Sequence, residues 1–132
     1  MRPRVTDKKI VYIRFRKDLD ALITKAAIDR NTPKATLVGK VMTEYITDLS
    51  DSCDGRINAV NRNSLNFSAL SSSFFVKPGR SIERVLGKPM RVTLKMVDEG
   101  NMRLAALATE YTITQFRTAI MVTWAKNEGL LK

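Results

Sequence analysis

One stretch, Ile10-Val11-Tyr12-Ile13-Arg14-Phe15-Arg16, limits what this chain can become. Its residues alternate strictly, with Val11, Ile13 and Phe15 on one side and Ile10, Tyr12, Arg14 and Arg16 on the other. A period of two predicts a β-strand with one buried face. Such a strand cannot stand alone, because its edges leave backbone N–H and C=O groups unpaired. The pattern returns at Met90-Arg91-Val92-Thr93-Leu94-Lys95-Met96, where Met90, Val92, Leu94 and Met96 oppose Arg91, Thr93 and Lys95. The two stretches are therefore expected to pair with each other.

Helical patterns follow each strand. Leu19, Leu22, Ile23, Ala26 and Ala27 recur at helical spacing and predict a helix to about Asp29, capped by Asp18 with Asp20 in its first turn. Thr32-Pro33-Lys34 reads as a helix start, with Thr32 as cap and Pro33 at the first helical position. Leu37, Val38, Val41, Met42, Tyr45, Ile46 and Leu49 give that second helix its apolar face, and it fades at Ser50-Asp51. After the second strand, Asp98 or Asn101 is expected to cap a helix that turns Met102, Leu104, Leu107 and Ala108 inward. Thr114 is expected to cap a last helix, carrying Phe116, Ala119, Ile120, Thr123 and Trp124 and ending near Asn127.

Two other regions lack this regularity. Residues 1–9 read as a flexible basic arm with Arg2, Arg4, Lys8 and Lys9. Residues 51–88 read as a connector, rich in Asn and Ser but too apolar to be freely solvated. Within it, Lys77-Pro78-Gly79-Arg80 reads as a turn. Ser81 to Leu86 reads as a short helix capped by Ser81 and ended by Gly87.

Composition narrows the chemistry. The 132 residues carry 23 basic and 13 acidic side chains, for a net charge of +10. A small domain this basic favours polyanions, nucleic acid before membrane. There is no histidine and a single cysteine, Cys53. That removes the usual general base, cysteine-based zinc sites and paired Ser-His or Cys-His nucleophiles, so no enzyme and no cofactor is expected. No apolar run approaches a membrane span and no signal-peptide segment follows the basic start, so a cytoplasmic protein is expected. The charges on the helices are mixed (Asp20, Lys25, Asp29; Arg103, Glu110), unlike a basic amphipathic membrane helix.

The order strand, helix, helix occurs twice. Sliding the chain on itself by 81 residues puts Val11 on Val92, Ile13 on Leu94 and Arg14 on Lys95. Thr32 and Thr114 need 82, which implies one inserted residue between strand and turn. The strand 10–16, the Leu22-Ile23-Ala26-Ala27 helix and the Thr32 start together resemble the ribbon-helix-helix family of the Arc and MetJ type. Residues 90–127 resemble it more weakly, with Gly100 atypical. The resemblance implies a mainly α fold with a two-stranded antiparallel β-ribbon. Residues 10–50 and 89–132 would be its tandem repeats, forming one intramolecular pseudo-dimer around the connector 51–88. A pairing of strands between two chains is the rival arrangement.

The resemblance also implies function. A two-stranded ribbon fits the major groove of double-stranded DNA. Family alignment makes Ile10, Tyr12, Arg14, Arg91, Thr93 and Lys95 the base-reading residues. Arg16, Thr32, Lys34, Thr114, Gln115 and Arg117 would meet phosphates, chiefly at the starts of the second helices. A tandem single-chain member is similar to relaxosome accessory proteins of the TraY type, which act beside a relaxase. A transcriptional regulator, a plasmid partition protein and an antitoxin-type module are the other expectations, and any of these could oligomerise on DNA. Because the two strands differ in sequence, the DNA site is expected to be asymmetric.

Overall fold

The computed structural model describes residues 7–77 and 82–131. The expected contacts of Arg2 and Arg4, most of the 77–80 turn and the Ser81 cap lie outside them. The described chain is mainly helical, with one two-stranded antiparallel sheet.

The first strand, β1, spans Lys8–Ile13, and the second, β2, spans Met90–Lys95. They pair from Lys8↔Lys95 to Ile13↔Met90. The expected strand 10–16 is thus displaced toward the N-terminus: Lys8 and Lys9 leave the arm and join the ladder. Beyond Ile13 the ladder loosens. The Gly87 N–H donates to the Phe15 carbonyl at 2.7 Å, and Arg16 bridges to Leu86. The inner row holds for Val11, Ile13, Phe15, Met90, Val92 and Leu94, all buried, but not for Met96, which is 50% exposed because the strand ends at Lys95 and Met96 opens the next helix.

Helix α1 runs Lys17–Asp29 and α2 runs Lys34–Ser52. Asp18 does not cap α1; it lies inside the helix and pairs with Arg16, the residue that does occupy the cap position. Thr32 does not cap α2 either. Pro33 takes that position, and the Thr32 hydroxyl donates to the Arg30 carbonyl at 3.0 Å. The turn between the helices needs Asn31 at φ 53°, a left-handed conformation that asparagine tolerates.

The connector is ordered over its described residues. It winds through 3₁₀ turns at Ile57–Ala59, Arg62–Ser64 and Ala69–Phe74, and then a short helix α3 at Ile82–Val85. Ile57, Val60 and Leu65 are buried. Phe67 anchors the segment. Its ring stacks on Tyr45 at 5.4 Å and meets Phe116 and Tyr111 edge-on at 5.2 and 5.8 Å. The Tyr45 hydroxyl donates to the Leu65 carbonyl. Burial, and then the neighbouring Tyr111, push the Tyr45 phenol well above its ordinary pKa.

Helix α4 spans Met96–Ala108 and α5 spans Ile113–Asn127. The expected caps Asp98, Asn101 and Thr114 all fall inside helices. Thr112 caps α5 in a reciprocal box, its hydroxyl accepting from the Gln115 N–H while Gln115 accepts from the Thr112 N–H. The inner face of α4 is also not the expected one. Met102 is buried, but so are Ala105, Ala106, Asp98 and Glu99, whereas Leu104 and Leu107 are 47% and 78% exposed. Two alanines let the connector turn at 57–59 lie close to α4, and Glu99 turns inward to meet Arg117.

The helices share one displacement. The starts of α1 and α4, of α2 and α5, and the left-handed residues Asn31 and Glu110 all stand 79 positions apart. The same step carries Val11, Ile13 and Phe15 onto Met90, Val92 and Leu94, all buried. The displacements of 81 and 82 expected from sequence, and the inserted residue between them, are therefore replaced by one step of 79.

Candidate nucleic-acid interface

The outward face of the ribbon is set by the pairing register. Three rungs point away from the core: Lys8↔Lys95, Ile10↔Thr93 and Tyr12↔Arg91. All six residues are exposed, Tyr12 at 68% and Ile10 at 44%. Of the six expected base-reading residues, Ile10, Tyr12, Arg91, Thr93 and Lys95 stand together here. Arg14 does not: it follows the last rung, is half-buried, and its Nε donates to the Gly87 carbonyl at 2.9 Å. Lys8 takes a place that sequence reading gave to a loose arm. The signal was available, because Lys8 is in phase with Ile10 and Tyr12.

The positive charge on this face is unrelieved. Among the described residues, no hydrogen bond or ion pair engages the side chains of Lys8, Arg91 or Lys95. Lys8 and Lys95 even stand directly opposite each other, an arrangement that destabilises a ribbon.

The residues expected to meet phosphates are less uniform. Arg16 pairs with Asp18 and donates to the Ser73 carbonyl at 3.0 Å. Lys34 pairs with Asp20 at 2.9 Å. Thr114 is exposed in the first turn of α5, and Gln115 is used in the capping box. Arg117 is a correction: it is 6% exposed and forms an ion pair with Glu99, itself 2% exposed. With Thr112 as cap, Arg117 lies between Phe116 and Thr118 on the buried side of α5, so it faces the core rather than solvent.

Beside the ribbon lies an open groove of about 500 Å³ between α2 and β2. Gly39 forms part of its lining. A Cβ there would stand 3.4 Å from Val92 Cγ1 and 3.6 Å from the Thr93 carbonyl oxygen, so α2 passes close to the strand. The groove gathers Lys8, Arg91 and Lys95 from the ribbon and Lys40, Thr36 and Glu44 from α2. Lys40 was not among the residues expected from sequence, because an exposed lysine in mid-helix carries no signal of its own.

Comparison with family models, with curated proteins and with solved structures finds no match. No described helix is long and apolar enough to cross a membrane. Function must therefore be read from the geometry of this face. Its free cations, interleaved with Thr93, Tyr12 and Ile10, suit a polyanion that also offers hydrogen-bonding and apolar contacts.

Proposed function

We propose that this chain is a sequence-specific double-stranded DNA-binding protein that lays the outward face of its β1–β2 ribbon in the major groove. The observation that carries the reading is the exposed ribbon face, with Lys8, Arg91 and Lys95 free of partners around Tyr12 and Thr93. Arg91 suits guanine O6 and N7 in bidentate fashion, at roughly 1–3 kcal/mol of discrimination. Lys95 and Lys8 reach the same acceptors as point charges with less geometric demand. Thr93 donates, accepts or presses its methyl on thymine, and Tyr12 and Ile10 suit thymine methyls or the sugar edge.

In this reading the chain is a tandem ribbon-helix-helix protein whose halves form a pseudo-dimer. The common displacement of 79 supports it, because that step carries Tyr12 onto Arg91, and these two residues pair with each other. A pseudo-two-fold axis through that rung relates the halves. Arg14 then corresponds to Thr93 and Arg16 to Lys95, so the two ends of the ribbon present different side chains. The DNA site is expected to be asymmetric for one chain. Accessory binding in a relaxosome and transcriptional regulation are the two roles that suit such a protein, with partition and antitoxin-type binding behind them.

Salt dependence tests the reading. If about five phosphates are neutralised, log Kd should change with log salt at a slope near 4.5, a loss of roughly 500-fold in affinity between 50 and 200 mM. A flat response would remove the phosphate-anchored interface.

A further inference from the structure

The two halves do not present the same surface beside the ribbon. On α2, Gly39, Lys40, Thr43 and Glu44 line the open groove against β2. The same positions on α5, one step of 79 on, are Thr118, Ala119, Val122 and Thr123. The first three are buried. The connector lies over this helix: the 3₁₀ turn at Ala69–Phe74 packs along α5, and the Ser68 N–H donates to Thr123 Oγ1 at 2.9 Å. One half thus leaves its helix–strand groove open and basic, while the connector closes the corresponding face of the other.

We infer that the α2–β2 groove is a backbone-phosphate site that grips the DNA on one side of the ribbon only. The inference rests on the DNA-binding reading and goes beyond it, since it makes Lys40 a contact and the grip lopsided. Charge complementarity carries it. Lys8, Lys40, Arg91 and Lys95 line one cleft, and among the described residues none of these side chains has an internal partner. Four cations gathered around a single carboxylate, Glu44, repel one another until an anion enters. The cleft is continuous with the proposed base-reading face, because Arg91, Thr93 and Lys95 belong to both. A duplex on the ribbon therefore brings a sugar-phosphate strand alongside α2. There the Lys40 ammonium and the Thr36 and Thr43 hydroxyls supply donors. Glu44 limits the grip by repelling the same phosphates.

Fluorescence anisotropy on a labelled duplex of mixed sequence tests this, because the phosphate contribution does not depend on base sequence. Lys40→Ala should weaken binding roughly threefold to tenfold and lower the salt slope by about 0.9, the value for one lost phosphate contact. Glu44→Gln should tighten binding severalfold. Lys25→Ala, an exposed lysine on α1, should leave both quantities nearly unchanged. Opposite effects from two groove substitutions cannot come from misfolding. If wild-type protein binds the duplex but Lys40→Ala and Glu44→Gln alter neither affinity nor slope, the groove is not a phosphate site and only this inference falls. If wild-type protein binds no duplex at all, the DNA-binding reading falls with it.

Discussion

The two strand-helix-helix halves share a framework but place their charges differently. In the first half the ion pair between helices, Lys34–Asp20, lies near the surface with side chains 28% and 18% exposed. In the second, Arg117–Glu99 is buried, at 7% and 2%. The first half leaves α2 open beside the ribbon, whereas the second is covered by the connector and sealed by the Tyr45, Phe67, Phe116 and Tyr111 rings. The difference teaches that two halves with the same order of elements need not be covered alike: the connector buries a face of α5 and leaves α2 open beside the ribbon.

The sharpest way to break this comparison is to cut the two ion pairs separately. Arg117→Met leaves the buried Glu99 carboxylate with one partner, Arg103, whose Nε donates to it at 2.9 Å, and should destabilise the fold by about 3 kcal/mol, the low end of what breaking a buried pair costs. Lys34→Met leaves Asp20 partly hydrated and should cost under about 1 kcal/mol. Urea denaturation compares them, and equal losses would mean that the buried pair is no special feature of the second half. The connector comes next. Phe67→Ala removes a ring that touches three others and should destabilise by about 2–3 kcal/mol. Limited proteolysis should then cut first within 57–77, and unchanged resistance would show that other contacts hold the connector. The smallest effects concern helix glycines. A Cβ at Gly100 meets nothing within 4 Å, so Gly100→Ala should gain about 0.5–1 kcal/mol from helix propensity. Gly39→Ala should gain less, because its Cβ would arrive 3.4 Å from Val92 Cγ1. Thermal unfolding that ranked them the other way would argue against a close α2–β2 approach.

Much of the framework could be read from the residues alone. Alternation found both strands, and the helical repeats found all four long helices, because burial of one face writes a period into the sequence. Strand ends were less legible. Alternation sets the phase of a strand but not its ends, so Lys8, although in phase with Ile10 and Tyr12, looked like a tail and Arg14 like a strand residue. The expected caps failed at all four long helices, three of which carry no side-chain cap at all. Thr112 and Gln115 stand at capping-box spacing, and that spacing, rather than the hydroxyl of Thr114, was the usable signal. Arg117 and Leu107 were missed for one reason: a charge was expected outside and a leucine inside. A buried ion pair and a face of alanines reversed both, and no local pattern encodes a partner 18 residues away. Of the candidate site, five of the six expected base-reading residues share the ribbon face, while the groove around Lys40 required knowing that α2 runs beside β2.

The central claim is that the outward ribbon face reads DNA sequence, and Arg91 tests it most directly. Random-site selection with wild-type protein should yield an asymmetric site. On that site Arg91→Ala should lose about 5- to 150-fold in affinity, the equivalent of 1–3 kcal/mol, while losing far less on a duplex of mixed sequence. A selected site that Arg91→Ala binds as tightly as wild-type protein, with unchanged preference over mixed sequence, would contradict the account.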